Sequence, residues 1–191
     1  MPSIKDPEVK ILATYSLTLQ SDYPSEEDDA WRESPFNWIR TRRSSRQRGA
    51  IGEKLVSGYL ALKGFDVTRS PDAGADRVVG GKRAEIKMST LWEGGFYKFQ
   101  QLRDQNYDFA LCLGISPFDA HCWVLPKDVI LDSWANEFAG ITSQHGGVSG
   151  TDTAWLSVYP DDAPEWLNKW GGRLSNAVGL ISEITDQEPL I

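Results

Sequence analysis

The sequence predicts an α/β fold in which a mixed β-sheet carries helices on both faces. Three patterns support this prediction. Apolar residues recur at helical spacing between positions 51 and 62, two extended runs flank a Gly-Gly pair at 80 and 81, and a nearly continuous apolar run occupies 107–115. These patterns are typical of an amphipathic helix, a hairpin and a strand covered on both faces. Their order along the chain indicates an α/β domain with a central mixed sheet.

Length and composition are those of one soluble domain spanning residues 1–191. The chain has 40% hydrophobic and 25% charged residues, which is ordinary for a globular protein. We expect no membrane association, because no apolar run approaches the roughly 18 residues of a spanning helix. The first residues lack the basic and apolar regions of a signal peptide. With two cysteines and no disulfide framework, the expected location is the cytoplasm.

Charge is distributed unevenly along the chain. The net charge is −7 overall, made up of −5 over residues 1–39, +6 over 40–127 and −8 over 128–191. An acidic protein is a poor candidate for binding nucleic acid when only its net charge is considered. The basic central segment is where a polyanion would bind, with an acidic N-terminal segment before it.

Residues 9–20 mix apolar and polar side chains and fit either a strand or a short helix, and the acidic stretch 21–30 is predicted to be a surface loop. Five arginines follow within nine positions. This cluster is either a solvated loop leading into a helix or a set of contacts to phosphate groups. Its members are Arg40, Arg42, Arg43, Arg46 and Arg48.

A helix is predicted over residues 49–65. Its apolar positions lie at helical spacing, and Gly64 is suited to end it. Glu53 falls at the edge of the apolar stripe, where a side chain can reach a neighbouring pocket while the helix stays packed. The stripe consists of Ile51, Leu55, Val56, Tyr59, Leu60 and Leu62.

The remaining elements follow from short-range patterns, and none is assigned after residue 140. Two extended runs joined by Gly80-Gly81 predict a hairpin with a two-residue turn. The predicted elements are a strand at 65–68, hairpin strands at 75–79 and 82–89, an amphipathic helix at 94–105, strands at 107–115 and 121–126, and a helix at 127–138.

The predicted hairpin concentrates charge on one face. A two-residue turn pairs Val79 with Lys82 and, three pairs further along, Asp76 with Glu85. Lys87 lies on that same face, two residues beyond Glu85. The opposite face is apolar and consists of Ala84, Ile86 and Met88.

Two opposed carboxylates destabilise a hairpin unless something offsets their repulsion. A divalent cation does so, and Mg²⁺ is commonly held by one or two carboxylates together with waters and phosphate oxygens. Lys87 would then orient or deprotonate water and offset charge on a phosphate, and Glu53 would complete the site. The alternative is an exposed strand face whose charges only favour solubility.

Pro71-Asp72, then Asp76, then Glu85-x-Lys87, set between a Glu-bearing helix and an apolar strand, resemble the PD-(D/E)xK nuclease superfamily. The resemblance covers about residues 47–127 and leaves 140–191 as a C-terminal extension. It implies a restriction-endonuclease-like core with Asp76 and Glu85 as metal ligands and Lys87 as the catalytic lysine. Glu53 matches the helix glutamate that many members carry.

The resemblance implies an endonuclease that hydrolyses phosphodiester bonds in DNA, most simply of restriction type. Its cofactor would be Mg²⁺, with Mn²⁺ as a substitute. One chain has one apparent site, so cutting both strands of a duplex calls for a homodimer with two-fold symmetry. A repair or RNA nuclease of the same fold remains an alternative.

Two departures from the family pattern bear on the site. Asp72 belongs to the literal Pro-Asp and competes with Asp76 as first ligand, but only Asp76 lies opposite Glu85 in the predicted register. Gln100 and Gln101 follow the hairpin, yet no tyrosine stands at the spacing of the Gln-and-Tyr motif of the recombination nucleases. Gln100 either touches the site or is a solvated residue.

Two hypotheses from other functional classes remain open. The protein could be a non-catalytic nucleic-acid-binding module anchored by the arginines, or an interaction protein without a metal site. Cys112, His121 and Cys122 suggest zinc, but they lie on two apolar strands and are expected in the core.

Three tryptophans flank the basic and charged segments. Trp31, Trp38 and Trp92 are either buried or available to stack on bases.

Overall fold

The computed structural model of the chain describes residues 4–20, 31–41, 44–145 and 152–190. Within these ranges the helices and strands follow one another in this order: α1 (Pro7–Gln20), α2 (Asn37–Arg40), α3 (Ser45–Leu62), β1 (Val67–Arg69), β2 (Arg77–Val79), β3 (Lys82–Thr90), β4 (Tyr97–Leu102), β5 (Phe109–Ile115), β6 (Ala120–Pro126), α4 (Lys127–Ala135), β7 (Ile141–Ser143), β8 (Ala154–Val158), α5 (Glu165–Asn168), β9 (Gly171–Arg173) and α6 (Leu174–Thr185).

The central sheet has six strands in the order β1-β2-β3-β5-β6-β9. Strands β3 and β5 run parallel, and the other neighbours in this sheet are antiparallel. All seven residues of β5 are buried, as expected for a strand with layers on both sides. The predicted mixed sheet of an α/β fold is therefore confirmed.

The two faces of this sheet are covered differently. Helices α1, α3 and α6 form a layer on one face, and their core includes Leu111 and Leu113 of β5. The other face packs against a smaller antiparallel sheet, ordered β4-β8-β7, and against α4. Ala110 and Cys112 of β5 point to that second core. Alternate residues of one strand thus supply both cores, as the period-two geometry requires.

Most predicted elements are present. The predicted helix at 49–65 is α3, which begins at Ser45 behind the N-cap Ser44, and Gly64 follows its C-cap with φ +88°. Residues 9–20, for which strand and helix were both open, belong to α1. The loop predicted for 21–30 lies outside the described residues.

The amphipathic helix predicted for 94–105 is wrong, because this segment contains strand β4. Tyr97 and Phe99 are buried while Lys98 and Gln100 point away from that core, which is the alternation of a strand. Gln101 has φ +60° and the pairing with β8 shifts between Phe99 and Leu102. This bulge breaks the alternation and hides the strand pattern in the sequence.

The segment after residue 140 completes both sheets. Strand β8 lies between β4 and β7 in the small sheet, and β9 pairs with the edge of β6. Helix α6 packs buried apolar residues on the helical face of the central sheet. Among the described helices, none combines the length and apolarity needed to cross a membrane.

Candidate active site

The β2–β3 hairpin has the predicted turn and register. Val79 pairs with Lys82, and the ladder continues to Arg77 opposite Ala84. Gly80 and Gly81 have φ values of +54° and +78°. Positive φ at both central positions is the requirement of a type I′ turn, which glycine meets without strain.

The ladder ends one pair earlier than predicted, so Asp76 and Glu85 do not form a regular opposed pair. The backbone N–H of Asp76 donates to the carbonyl of Ala84 at 3.0 Å instead. The N–H of Ile86 donates to Asp76 Oδ2 at 2.7 Å. The aspartate side chain thus takes over a backbone partner of β3, which fixes its carboxylate at the point where β2 leaves the sheet.

Glu85 and Lys87 lie on the same face of β3, as the alternation predicts. Lys87 Nζ is 2.6 Å from Glu85 Oε1, and the Glu85 side chain is 10% exposed. Ala84 and Ile86 point to the helical core on the opposite face. Burial raises the pKa of Glu85, and the nearby charge of Asp76 raises it further against the opposing effect of Lys87.

Glu53 reaches the same region from α3. The helix lies close to β3 here, since a Cβ on Gly52 would be 2.7 Å from Met88 Cβ. Glu53 Oε2 is 3.4 Å from the guanidinium of Arg77. Burial raises the pKa of Glu53, followed by the charge of Asp76, while Arg77 acts in the opposite direction. Mutual repulsion therefore links the carboxylates of Glu53, Asp76 and Glu85.

These groups border a cleft of about 340 Å³ between the N-terminal half of α3, the outer half of β3 and strand β4. We call it the carboxylate cleft. Glu85 is not among its described lining residues and lies behind Lys87. The lining comprises Ser45, Arg48, Gly49, Glu53, Asp76, Ile86, Lys87, Met88, Ser89, Thr90, Trp92, Lys98, Gln100 and Gln101.

The predicted arginine cluster is only partly at the cleft. Arg48 lines it, and Arg46 is exposed in the first turn of α3. Arg40 lies with Arg48 in an adjoining shallow pocket, the basic pocket, and its guanidinium is 5.6 Å from the ring centre of Trp31. The basic pocket is lined by Arg40, Arg48, Thr90, Leu91, Trp92, Glu93 and Gly94. Arg42 and Arg43 lie outside the described residues.

Asp72 is held away from the cleft. Its carboxylate forms an ion pair with Arg83 and accepts a 2.7 Å hydrogen bond from the N–H of Gly74. The hydrogen bond from Arg83 lowers the pKa of Asp72, with a smaller contribution from Gly74. The carboxylate of Asp76 is on the cleft wall, so Asp76 is the better placed of the two aspartates.

Lys98 and Gln101 were missed as cleft residues because β4 was predicted to be a helix, and Ser89 was missed although its strand was predicted correctly. Gln100 lines the cleft from a strand rather than from the predicted helix. The N–H of Lys98 donates to Ser89 Oγ at 2.9 Å, which joins β4 to the end of β3. The alternation of Tyr97, Lys98, Phe99 and Gln100 was the available signal.

The donor set suits a cation that needs few protein ligands. Within the described ranges, no group of three or more His, Cys, Asp or Glu side chains is arranged to hold a metal ion by itself. Mg²⁺ fits a site with one or two carboxylates because it keeps waters and takes substrate phosphate oxygens. Asp76 has one carboxylate oxygen beyond the one bonded to Ile86, and Glu85 stands next to it with a raised pKa.

The two cysteines are core residues, as predicted, whereas His121 is half-buried and not in the core. Cys112 and Cys122 are 0% and 6% exposed and are not joined in a disulfide. Burial raises the pKa of Cys122 to about 12, so its thiol stays protonated. His121 Nδ1 lies 3.1 Å from Tyr97 Oη.

The tryptophans divide into buried and exposed residues. Trp31 and Trp38 are 5% and 1% exposed, and Trp38 Nε1 donates to Ser16 Oγ at 2.9 Å. Trp92 is 46% exposed and lines the carboxylate cleft. Of the three, Trp92 alone is presented to a ligand at this cleft.

The sequence matches no protein-family model and no curated protein. Among solved structures, the chain is similar to a bacterial homing endonuclease, I-Ssp6803I, with 15% sequence identity and a TM-score of 0.47. The alignment covers 75% of this chain and 97% of that one. At this level of similarity the functional assignment depends on the geometry of the site itself.

Proposed function

We propose that the protein is a metal-dependent endonuclease with a restriction-endonuclease-like core, which hydrolyses phosphodiester bonds in DNA. The observation that carries the proposal is the convergence of Asp76, Glu53 and Lys87 on one cleft, with Glu85 buried behind Lys87. Three carboxylates lie close enough that, beyond burial, the charges of Asp76 and Glu85 raise the pKa of Glu53, and a lysine stands beside them. They suit a cation and a phosphate, whose charges balance theirs.

The proposed metal ligands are Asp76 and Glu85, with Mg²⁺ as the cofactor and Mn²⁺ as a substitute. A metal ion bound there would supply an activated water and a Lewis acid for the phosphoryl oxygen. Glu53 lies close enough for its charge to act on Asp76 and Glu85, and it would hold a water of the ion. Glu53 lines the cleft and is also paired with Arg77.

Lys87 is the proposed catalytic lysine. Its ion pair with Glu85 holds the ammonium against the cleft wall, where it meets an incoming phosphate. From there Nζ orients the attacking water and stabilises the negative charge that grows on the phosphate oxygens. Hydrolysis joins the water oxygen to phosphorus, breaks one P–O ester bond and passes a proton to the leaving oxygen.

Basic residues beside the cleft would position the DNA backbone. Arg46 and Arg48 lie in the first turn of α3, where the helix dipole disfavours cations, so a phosphate bound there would relieve that repulsion. Arg40 lines the adjoining basic pocket, and Gln100 faces the cleft from β4. Arg42 and Arg43 complete the proposed DNA-binding segment.

We further propose a restriction-type enzyme that acts as a homodimer, because one cleft per chain cuts one strand at a time. We propose a single nuclease domain over residues 1–191 and a cytoplasmic location. The two unpaired cysteines agree with a reducing compartment.

The direct test is incubation of mixed-sequence plasmid DNA with the protein in Mg²⁺, in Mn²⁺ and in EDTA. We expect cleavage with either metal and none in EDTA. Cleavage that persists in EDTA would contradict the metal role of Asp76 and Glu85. A different result is that the protein binds DNA but cleaves none of the plasmid, linear, branched and single-stranded forms with any metal. That result would favour the non-catalytic binding module.

A further inference from the structure

The loop between β3 and β4 presents Trp92 at the mouth of the carboxylate cleft. The N–H of Trp92 donates to the carbonyl of Phe96 at 2.9 Å, and the N–H of Gly95 donates to the carbonyl of Trp92 at 2.9 Å. Gly95 has φ +77°, a conformation that glycine adopts readily. These bonds close a tight turn, which fixes the backbone of Trp92 beside the cleft.

Trp92 belongs to a row of three rings in which the two outer rings are exposed and Phe96 is half-buried. Its ring centre is 5.7 Å from that of Phe96, which is 5.5 Å from that of Tyr159. Trp92 is 46% exposed and Tyr159 51% exposed. We call these three residues the aromatic platform. Large aromatic side chains are normally buried, so exposed rings next to a cleft indicate a binding surface.

Cations lie close to Trp92, at one end of the platform. Lys98 Nζ lies 5.5 Å from the ring centre of Trp92 and 4.2 Å from that of Trp155. Arg40 and Arg48 line the basic pocket together with Trp92, and Glu93 is the acidic residue in that lining. Flat apolar faces among positive charges match a ligand with aromatic faces and negative charges. Nucleotides have both.

We propose that the aromatic platform stacks an unpaired base of the DNA strand that enters the carboxylate cleft. This proposal rests on the proposed nuclease function. A base inside a duplex is already stacked, so an indole face at the cleft receives a base only after that base has left the helix. The restriction-type enzyme would therefore extrude one base beside the cut from the duplex, and it should bind most tightly to DNA in which that nucleotide is already unpaired.

The test is binding in EDTA, where the metal-dependent reaction is stopped. Fluorescence anisotropy would compare a labelled single strand with the matched duplex, for wild type, Trp92→Ala and Tyr159→Ala. Phe138→Ala is the matched control, because Phe138 is also exposed and contacts Trp166 far from the cleft lining. We expect Trp92→Ala to weaken single-strand binding by about 5- to 100-fold, the range found for one stacked base. Tyr159→Ala should have a smaller effect and Phe138→Ala none.

A second readout separates stacking from a general loss of structure. A 2-aminopurine placed in the strand should be quenched by wild type and by Trp92→Phe, and not by Trp92→Ala. Thermal melting would show whether each variant is folded.

The inference is overturned if folded Trp92→Ala binds the single strand as tightly as wild type, or if it loses equal affinity for single strand and duplex. Because the assay needs no metal, its outcome is independent of whether the protein cuts DNA. If the protein stacks a base but does not cleave DNA with metal, the stacking proposal is supported and the proposed nuclease function is contradicted. If it cleaves DNA but does not stack a base, the nuclease function is supported and the stacking proposal is contradicted.

Discussion

Two clefts at different places on the sheets differ in size and in chemistry. The carboxylate cleft has a volume of about 340 Å³, whereas a second cleft around His121 and Arg173 has about 870 Å³. We call the second one the His121 cleft. It also contains titratable groups, among them Asp119 and Asp161. Neither the volume of a cleft nor its number of ionisable groups therefore indicates which of the two is the functional site.

The difference lies in how the charges are satisfied. In the His121 cleft the imidazole is paired with Tyr97 Oη and stacks on Trp123 with ring centres 6.0 Å apart, and Asp119 Oδ1 accepts a hydrogen bond from the N–H of Ala120. In the carboxylate cleft burial raises the pKa of Glu53 and of Glu85, and the charge of Asp76 raises both further. Carboxylates whose pKa is raised by burial and by a neighbouring acid indicate a functional site better than cavity size does.

The largest expected difference is between substitutions of two aspartates, Asp76 at the carboxylate cleft and Asp72 outside its lining. Asp76→Asn keeps an oxygen that accepts from Ile86 but removes a charged ligand. We expect cleavage to fall at least about 100-fold, since metal stabilisation of the transition state is worth several kcal/mol. Asp72→Asn removes only the ion pair with Arg83 and should leave the rate near wild type. The reverse result would assign the first ligand to Asp72. Single-turnover rates in Mg²⁺ measure both.

Glu53→Gln should lower the cleavage rate less than Asp76→Asn does, and it should raise the stability of the folded protein at pH 7. We expect cleavage to fall by about 10-fold, as for a residue that holds ligands of a metal rather than the metal itself. The pKa of Glu53 is raised in the folded state, so the wild type loses stability as pH rises from about 4.5 through that raised pKa. The neutral variant should therefore be more stable at pH 7. A thermal melt that shows destabilisation at pH 7 would contradict this account.

His121→Asn should change stability and not activity. Burial lowers the pKa of His121, so the folded protein binds fewer protons than the unfolded chain below pH 6.5. Wild-type stability conferred by His121 is then present above that pH and lost as pH falls through it. The variant should lack this pH dependence and lose about 1 kcal/mol with the Tyr97 hydrogen bond. A loss of cleavage with an unchanged melt would move function to the His121 cleft.

The sequence was sufficient for the hairpin and much of the candidate site. A two-glycine turn and period-two alternation are local features, and they placed Glu85 and Lys87 on one face of β3 and three register pairs correctly. The fourth pair was wrong because Asp76 uses its side chain, rather than a regular backbone position, to bind Ile86. Nothing local in the sequence indicates that exchange.

The strand β4 could not be predicted in the same way. Its partner β8 follows more than fifty positions later, and the bulge at Gln101 interrupts its alternation. Its stability comes from Tyr97 and Phe99 in the second core, which only the tertiary structure brings together. Lys98 and the wall of the cleft formed by β4 were missed for this reason.

The most direct test of the central claim is Lys87→Ala, with DNA binding and DNA cleavage measured on the same preparation. Lys82→Ala is the control, because Lys82 is exposed on the same strand and does not line the cleft. We predict that Lys87→Ala lowers cleavage by about 100- to 10,000-fold, as expected for a group that assists proton transfer. DNA affinity and the control should stay near wild type. Cleavage that survives in Lys87→Ala, or falls only in step with affinity, would contradict a nuclease whose chemistry depends on this lysine.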